Sequence, residues 1–152
     1  MVDNYVTVET GVGRFIRWWP WALSAIMLAV FLVMTLVISR FDEDFIKAHS
    51  SQPWFVSMVG FVAGLPFLYQ MVERKRQLQV PKYLRPRTDT PKLTVGHGGC
   101  FSCIYSVRGA GGYQMFGVTP MPIYDPTQQV SYLQDNMCLF RPGDIVKWKP
   151  IN

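Results

Sequence analysis

The chain has 152 residues, a net charge of +5 and an unusually apolar composition: 49% hydrophobic residues against 16% charged. That length suits one domain with an appendage, and the shortfall of charge is concentrated in the first half of the chain. Three cysteines are an odd number in no small-secreted pattern, which excludes a disulfide framework and makes a reducing compartment the default.

Residues 1–17 read as a short mixed-charge leader. Trp18 to Ser39 follows, 22 residues without a charge. At 1.5 Å per residue such a helix crosses a hydrocarbon core of about 30 Å. Trp18, Trp19 and Trp21 cluster at one end, as in an interfacial aromatic belt, and no small-residue cleavage site follows, so the run reads as an uncleaved single-pass anchor. A buried helix is the competing reading. Arg40 to Ser51 reads as a polar connector.

Pro53 to Met71 is a second uncharged run of 19 residues. By hydropathy alone it is a second span, and the flanking charges would suit a hairpin with both ends in the cytoplasm. Gly60, Gly64 and Pro66 weaken it as a helix. From Lys92 to Pro126, seven glycines separate short apolar or alternating runs, the pattern of a small all-β unit. Phe101, Cys103, Tyr105 and Val107 share one face, the one expected to point to a core; Cys100, Ser102, Ile104 and Ser106 share the other. Arg108 to Gly112 is expected to turn the chain, and Tyr113 to Val118 to form the next strand. Arg141-Pro-Gly-Asp144 suits a type II turn, with a closing strand after it that points Val146 and Trp148 inward.

His97, Cys100 and Cys103 have H-x2-C-x2-C spacing with Cys138 downstream, but the strand reading puts the two nearer cysteines on opposite faces, and no metal is assigned. A catalytic cysteine has no helix N-terminus or spare histidine to activate it. The basic run from Arg74 to Arg87 lacks an array of stacking aromatics, so no nucleic acid is assigned; beside a membrane span, lipid headgroups are the better partner.

Five blocks in order resemble the carboxyltransferase domain of urea carboxylase and the allophanate hydrolase subunit 1 family. GFVAGLPFLYQM (60–71) resembles "GFxPGLPFxYPL", and VPKYLRPRTDTP (80–91) resembles "xPKYNPxRTxTP". TVGHGGCFSCIY (94–105) resembles "AVGxGGxxxxIYP". GGYQMFGVTPMPIYDP (111–126) resembles "PGGYQLxGRTxPIYD", and FRPGDIVKWKPI (140–151) the closing "xxPGDxIRFxPI". The resemblance implies a mainly β fold, a cyclophilin-like β-barrel over residues 53–152, behind a leader (residues 1–52) that carries the apolar helix 18–39.

It also implies a function. Relatives move CO2 from carboxybiotin to an amide nitrogen of urea, so this chain is expected to be a partial or partner-dependent carboxyltransferase subunit, inactive alone. Biotin would arrive on a partner's carrier domain, none being attached to this chain, and a homologous second half would complete the site. Arg87, Tyr113, Gln114 and Thr119 are the expected catalytic residues; Lys82, Tyr83, Gly111 and Gly112 would bind substrate or biotin. Val118 stands where the family has arginine and Ala63 where it has proline. The alternatives are a catalytically degenerate, membrane-tethered binding module and a two-span membrane protein. The expected location is the membrane, by a single pass with a cytoplasmic β domain, or otherwise the cytoplasm.

Overall fold

A computed structural model describes residues 11–151, with the side chains of residues 11–20 and 41 left aside. The first ten residues of the expected leader, and the Trp18–Trp19 half of the aromatic belt, lie outside what is described. The chain divides into two compact units, Met1–Phe45 and Ile46–Asn152.

One α-helix, α1, runs from Gly11 to Ser50. It continues through the segment expected as a polar connector. Among the described residues, Trp21 to Arg40 are all exposed, large apolar side chains such as Trp21, Phe31 and Leu36 included. Its last turn belongs to the second unit and has tertiary partners there. The indole Nε1 of Trp54 donates to the His49 carbonyl at 2.8 Å, and Gln70 Nε2 donates to the Ala48 carbonyl at 2.8 Å. Two of the carbonyls a helix end leaves orphaned are thereby satisfied by β-strand side chains. Ser50 and Ser51 hydroxyls return to Ile46 and Ala48 carbonyls, and Pro53 disfavours helix in the residue before it.

Residues 53–71 are not a helix. They form β1 (Trp54–Val59) and β2 (Pro66–Gln70), an antiparallel hairpin, which removes the two-span reading. The remaining strands are β3 (Arg87–Thr90), β4 (Thr94–Gly98), β5 (Phe101–Ile104), β6 (Gly109–Gly111), β7 (Gln114–Val118) and β8 (Ile145–Val146). A six-stranded sheet has the order β7-β4-β5-β2-β1-β8, and β3 pairs with β6 in a separate ribbon. The ladder is open: among the described residues, β7 and β8 end the order rather than pairing. The sequence reading is a closed or nearly closed barrel. The two-residue β8 is too short to close it, and Pro150 has no N–H to offer. Closure is by side chains instead, since Phe140 and Trp148 pack against both the Trp54–Leu68 cluster and the Val95–Ile104–Ile123 cluster.

The sheet is packed on both faces. Gly96 pairs with Cys103 and His97 with Ser102 across β4 and β5, so His97 and Ser102 point one way and Cys103 the other. Phe101, Cys103 and Tyr105 fall on one face as expected, with Leu65 and Tyr113. Ser102 and Ile104 are buried as deeply on the other. The glycine-rich segment 109–112 departs from its expected turn. Gly109–Gly111 is a strand, and among the described glycines the left-handed φ values belong to Gly64, Gly99 and Gly143. Gly143, at φ 101°, sits where the type II turn requires it, closed by the Asp144 amide donating to the Arg141 carbonyl.

β4 needs its glycines for proximity. A Cβ on Gly98 would lie 2.5 Å from the Tyr113 ring, whereas one on Gly109 would meet nothing within 4 Å. Gly98→Ala is therefore expected to cost about 1–3 kcal/mol by overpacking and Gly109→Ala to be nearly neutral, both read by urea denaturation. Equal stability of the two variants would refute this packing.

Candidate functional site

The face of the sheet that carries Cys103 and Tyr105 opens into a cavity of about 510 Å³. Phe61 and Leu65 from the β1–β2 connection and Phe67 from β2 form its apolar wall. Cys103, Tyr105 and Tyr113 form its floor, and Gly111–Gly112 one rim. The segment between Val80 and β3 continues this rim with Lys82, Tyr83 and Pro86. This rim is fixed by the Val80–Gly99 bridge, by the Tyr83 amide donating to the Gly112 carbonyl at 2.9 Å, and by Gln114 Nε2 donating to the Pro81 carbonyl at 3.0 Å.

Cations dominate the polar groups. Lys82 Nζ stands 5.1 Å above the Tyr113 ring, and the Arg87 guanidinium 5.1 Å from the Tyr83 ring. Arg87 Nε donates to Thr90 Oγ1 at 3.3 Å. Its terminal nitrogens, Nη1 and Nη2, are buried and have no hydrogen-bond partner among the described residues. Gly111 lets the hydroxyls gather: a Cβ there would lie 2.5 Å from Tyr105 Oη and 2.6 Å from Thr90 Oγ1. Burial pushes the Cys103 thiol up to about 12, and burial with the neighbouring Cys103 and Tyr105 pushes the Tyr113 phenol up to about 12. At neutral pH these groups are hydrogen-bond donors, and neither is a nucleophile or a base.

The structure brings Lys82, Tyr83, Gly111, Gly112 and Tyr113 to this cavity, with Arg87 against its Tyr83 rim. Gln114 holds that rim through its bond to Pro81. Thr119 lies elsewhere. With Val118 it lines a second cavity, of about 270 Å³, beside His49, Val95, Phe116 and Trp148. The five residues of β7, at about 3.3 Å each, lie between Tyr113 and Thr119, so the two flank opposite ends of that strand. Val118, 71% exposed, belongs to that far end as well. Sequence reasoning missed Thr90, the aromatic wall and His49; the inward face of Phe101, Cys103 and Tyr105 was the signal that leads to the wall.

His49 and His97 occupy the opposite face of the sheet. His49 Nε2 is 3.0 Å from Ser102 Oγ, its ring packs on Trp54 at 4.4 Å, and His97 Nε2 is 3.2 Å from the Leu78 carbonyl.

The antiparallel sheet thus carries on one face an aromatic cleft lined by Lys82 and by Cys103 and Tyr113 in their protonated forms. Residues 37–133 match the family pattern described as carboxyltransferase domain, subdomain C and D. The chain belongs to that family. It is 33% identical over 109 residues to a 5-oxoprolinase subunit of Escherichia coli O157:H7, covering 72% of this chain and 46% of that protein. It is 39% identical over 89 residues to the urea amidolyase of Lachancea kluyveri, covering 59% of this chain and 5% of that one. A conserved uncharacterized protein of Pyrococcus horikoshii superposes with a TM-score of 0.61 at 28% identity, over 76% of this chain and 51% of that one. The urea carboxylase of Kluyveromyces lactis superposes at 0.59 and 26% identity, over 72% and 10%. The chain thus spans less than half the length of the 5-oxoprolinase subunit. The family match includes the last turns of α1, with His49, and leaves residues 18–36 before it.

Burial, and then the neighbouring His97, lower the His49 pKa from 6.5 to about 3; burial also lowers that of His97. Protons bind the unfolded chain first, so the stability that neutral His49 contributes is complete above pH 6.5 and is lost as pH falls toward 3. Each proton adds a slope of about 1.4 kcal/mol per pH unit. Urea midpoints are expected to fall steadily below pH 6.5, and less steeply in His49→Gln; a flat profile from neutral pH down to about 4 would contradict the burial of neutral imidazole.

Proposed function

We propose that this chain is a partner-dependent component of a carboxyltransferase, acting on a carbonyl- or amide-bearing small molecule held in the Arg87–Tyr113 cleft. The observation that carries this reading is the buried guanidinium of Arg87, whose terminal nitrogens lack acceptors among the described residues and which stands 5.1 Å from the Tyr83 ring on the cavity's rim. A buried donor left unpaired costs about 1–3 kcal/mol, more for a charged group; a substrate oxygen would remove that cost. The cleft suits the ureido bicycle of biotin by the same chemistry, aromatic walls for its rings and donors for its carbonyl. Biotin, carried on a partner domain, would supply the CO2. This chain's residues would orient the acceptor: Arg87 and Lys82 stabilise developing negative charge, Tyr113 donates a hydrogen bond, and Gly111–Gly112 let the ligand approach the backbone. A proton acceptor is missing from the cleft's described lining, where Cys103 and Tyr113 stay protonated, which supports a requirement for the homologous second half.

The test is steady-state carboxylation of urea by the chain alone and with that half and a biotin carrier. Activity is expected only in the complete mixture, and Arg87→Gln is expected to lower it about a hundredfold, for a loss of roughly 3 kcal/mol of charge stabilisation. Activity of the chain alone would sink the reading. Silence of the complete mixture would leave a non-catalytic binding domain, the second reading.

We propose further that α1 anchors the chain in a bilayer by a single pass, with the β domain in the cytoplasm. Trp21–Ser50 contains a stretch long and apolar enough to cross a membrane, and the apolar side chains from Trp21 to Ile38 are exposed on every side of the helix. A protein groove covers one face of a helix; hydrocarbon covers all of them. The run also precedes the family match, so the family fold does not call for it. The chain is expected to stay with membranes through alkaline carbonate washing, and release into the supernatant would refute the anchor.

A further inference from the structure

We propose that the segment from Arg74 to Arg85 docks on the anionic headgroups of the membrane that holds α1. The inference rests on the reading of α1 as a single-pass anchor with the β domain on the cytoplasmic side, and adds to it a choice of lipid.

The segment is bonded into the β domain beside the last turn of α1. Gln70, buried at the end of β2, holds both. Its Nε2 donates to the Ala48 carbonyl at 2.8 Å, while its Oε1 accepts from the Leu78 amide at 3.3 Å and its carbonyl from Gln77 Nε2 at 3.2 Å. From there the chain crosses one end of the sheet. Val80 bridges to Gly99 between β4 and β5, and Gln114 at the start of β7 donates to the Pro81 carbonyl. Trp54 pairs with Gln70, Tyr69 with Phe101 and His97 with Gln114, so these points share that end. Eight residues separate Ala48 from Ser39, the last of the uncharged run. A tether that short keeps the segment at high effective concentration near the headgroups, where weak contacts count.

The charge is unspent. Between Glu73 and Lys92 there are seven Lys and Arg against two Asp and Glu. Asp89 is taken by Arg108 in a two-point pair of 2.7 and 2.6 Å. Among the described residues, Arg74, Lys75, Arg76, Lys82 and Arg85 are exposed and have no carboxylate within ion-pair distance. Arg74–Arg76 form one turn of 3-10 helix, which sets three cations side by side. Asp42, Glu43 and Asp44 precede the domain and oppose the attraction, but the seven cations outnumber all five carboxylates. Leu84, 102% exposed, stands among Lys82, Tyr83 and Arg85. An apolar tip flanked by cations and a tyrosine suits the boundary between headgroups and acyl chains. A nucleic acid would want free aromatic faces for its bases, and the Tyr83 ring already carries the Arg87 guanidinium at 5.1 Å. A clustered polybasic surface beside a span fits an anionic leaflet instead.

The test uses the full chain in nanodiscs of phosphatidylcholine, alone or with about 30% phosphatidylserine. Gln79→Cys and Leu84→Cys, both at exposed positions, are labelled with an uncharged maleimide and read by peptide mass spectrometry, which separates them from Cys100, Cys103 and Cys138. Both thiols are expected to react at least about fivefold more slowly in the anionic discs, the factor one surface cation contributes. The difference is expected to vanish at about 1 M salt and in the triple variant Arg74→Gln, Lys75→Gln, Arg76→Gln. Ser131→Cys is the reference; its loop springs from Tyr124, against Gly64 of the β1–β2 connection, and it is expected to react alike in both discs. Equal rates at 79 and 84 in the two discs overturn the proposal, as does slowing that survives the triple variant or appears equally at 131. A chain that leaves neutral discs but stays on anionic ones at low salt would remove the anchor and leave the docking. A chain anchored in both, with equal rates, would do the reverse.

Discussion

The architecture depends on how closely aromatic rings approach β4. Tyr113 and Tyr105 lie against the strand where Gly96 and Gly98 have no side chains; a Cβ on Gly96 would be 3.1 Å from Tyr113 Cβ and 3.2 Å from the Tyr105 ring. The alternate residue, His97, points through to the opposite face, where it meets Trp54 and His49 edge-on at 5.7 and 5.9 Å. One five-residue strand thus separates a cleft from a core. Side chains of ordinary size at 96 and 98 would push the tyrosines off the sheet and fill the floor of the cleft, so the same glycines that thin the sheet create the site.

The opposite face explains the end of the helix. His49 packs on Trp54, Phe116 and Trp148 and reaches Ser102, while Trp54 and Gln70 donate to the carbonyls of His49 and Ala48. A helix turn with Asp42, Glu43 and Asp44 just before it looks solvated when read residue by residue. Its burial is set by strands that follow it in the chain, and so the segment reads as a connector from sequence alone. The β1–β2 hairpin shows the opposite case. Hydropathy alone makes 53–71 a membrane span, but Gly64, with φ 71° and no room for a side chain beside Tyr124, marks the turn that breaks it.

Legibility of the site followed the same logic. Lys82, Tyr83, Gly111, Gly112 and Tyr113 meet in one cleft because the β3–β6 pairing sets Arg87 opposite Gly111, a long-range register that a motif records only as two separate blocks. Gly109–Gly111 reads as a turn because glycine suits turns; here its use is to let Thr90 and Tyr105 hydroxyls close on the strand. Thr119 follows Gln114 closely in the motif but stands a strand's length away in space. The apolar run before residue 37 has no counterpart in the family match, and its described side chains are exposed.

The central claim is that the Arg87–Tyr113 cleft receives the ligand. Side-chain NMR of the arginine nitrogens, the aromatic rings and the methyl groups, recorded as biotin is added, tests it most directly. The account predicts that the Arg87 resonances shift, together with the Tyr83 and Tyr113 ring signals, while the methyl signals of Val118 and Thr119 stay in place. Shifts confined to the Val118–Thr119 cavity, with Arg87 unmoved, would contradict it.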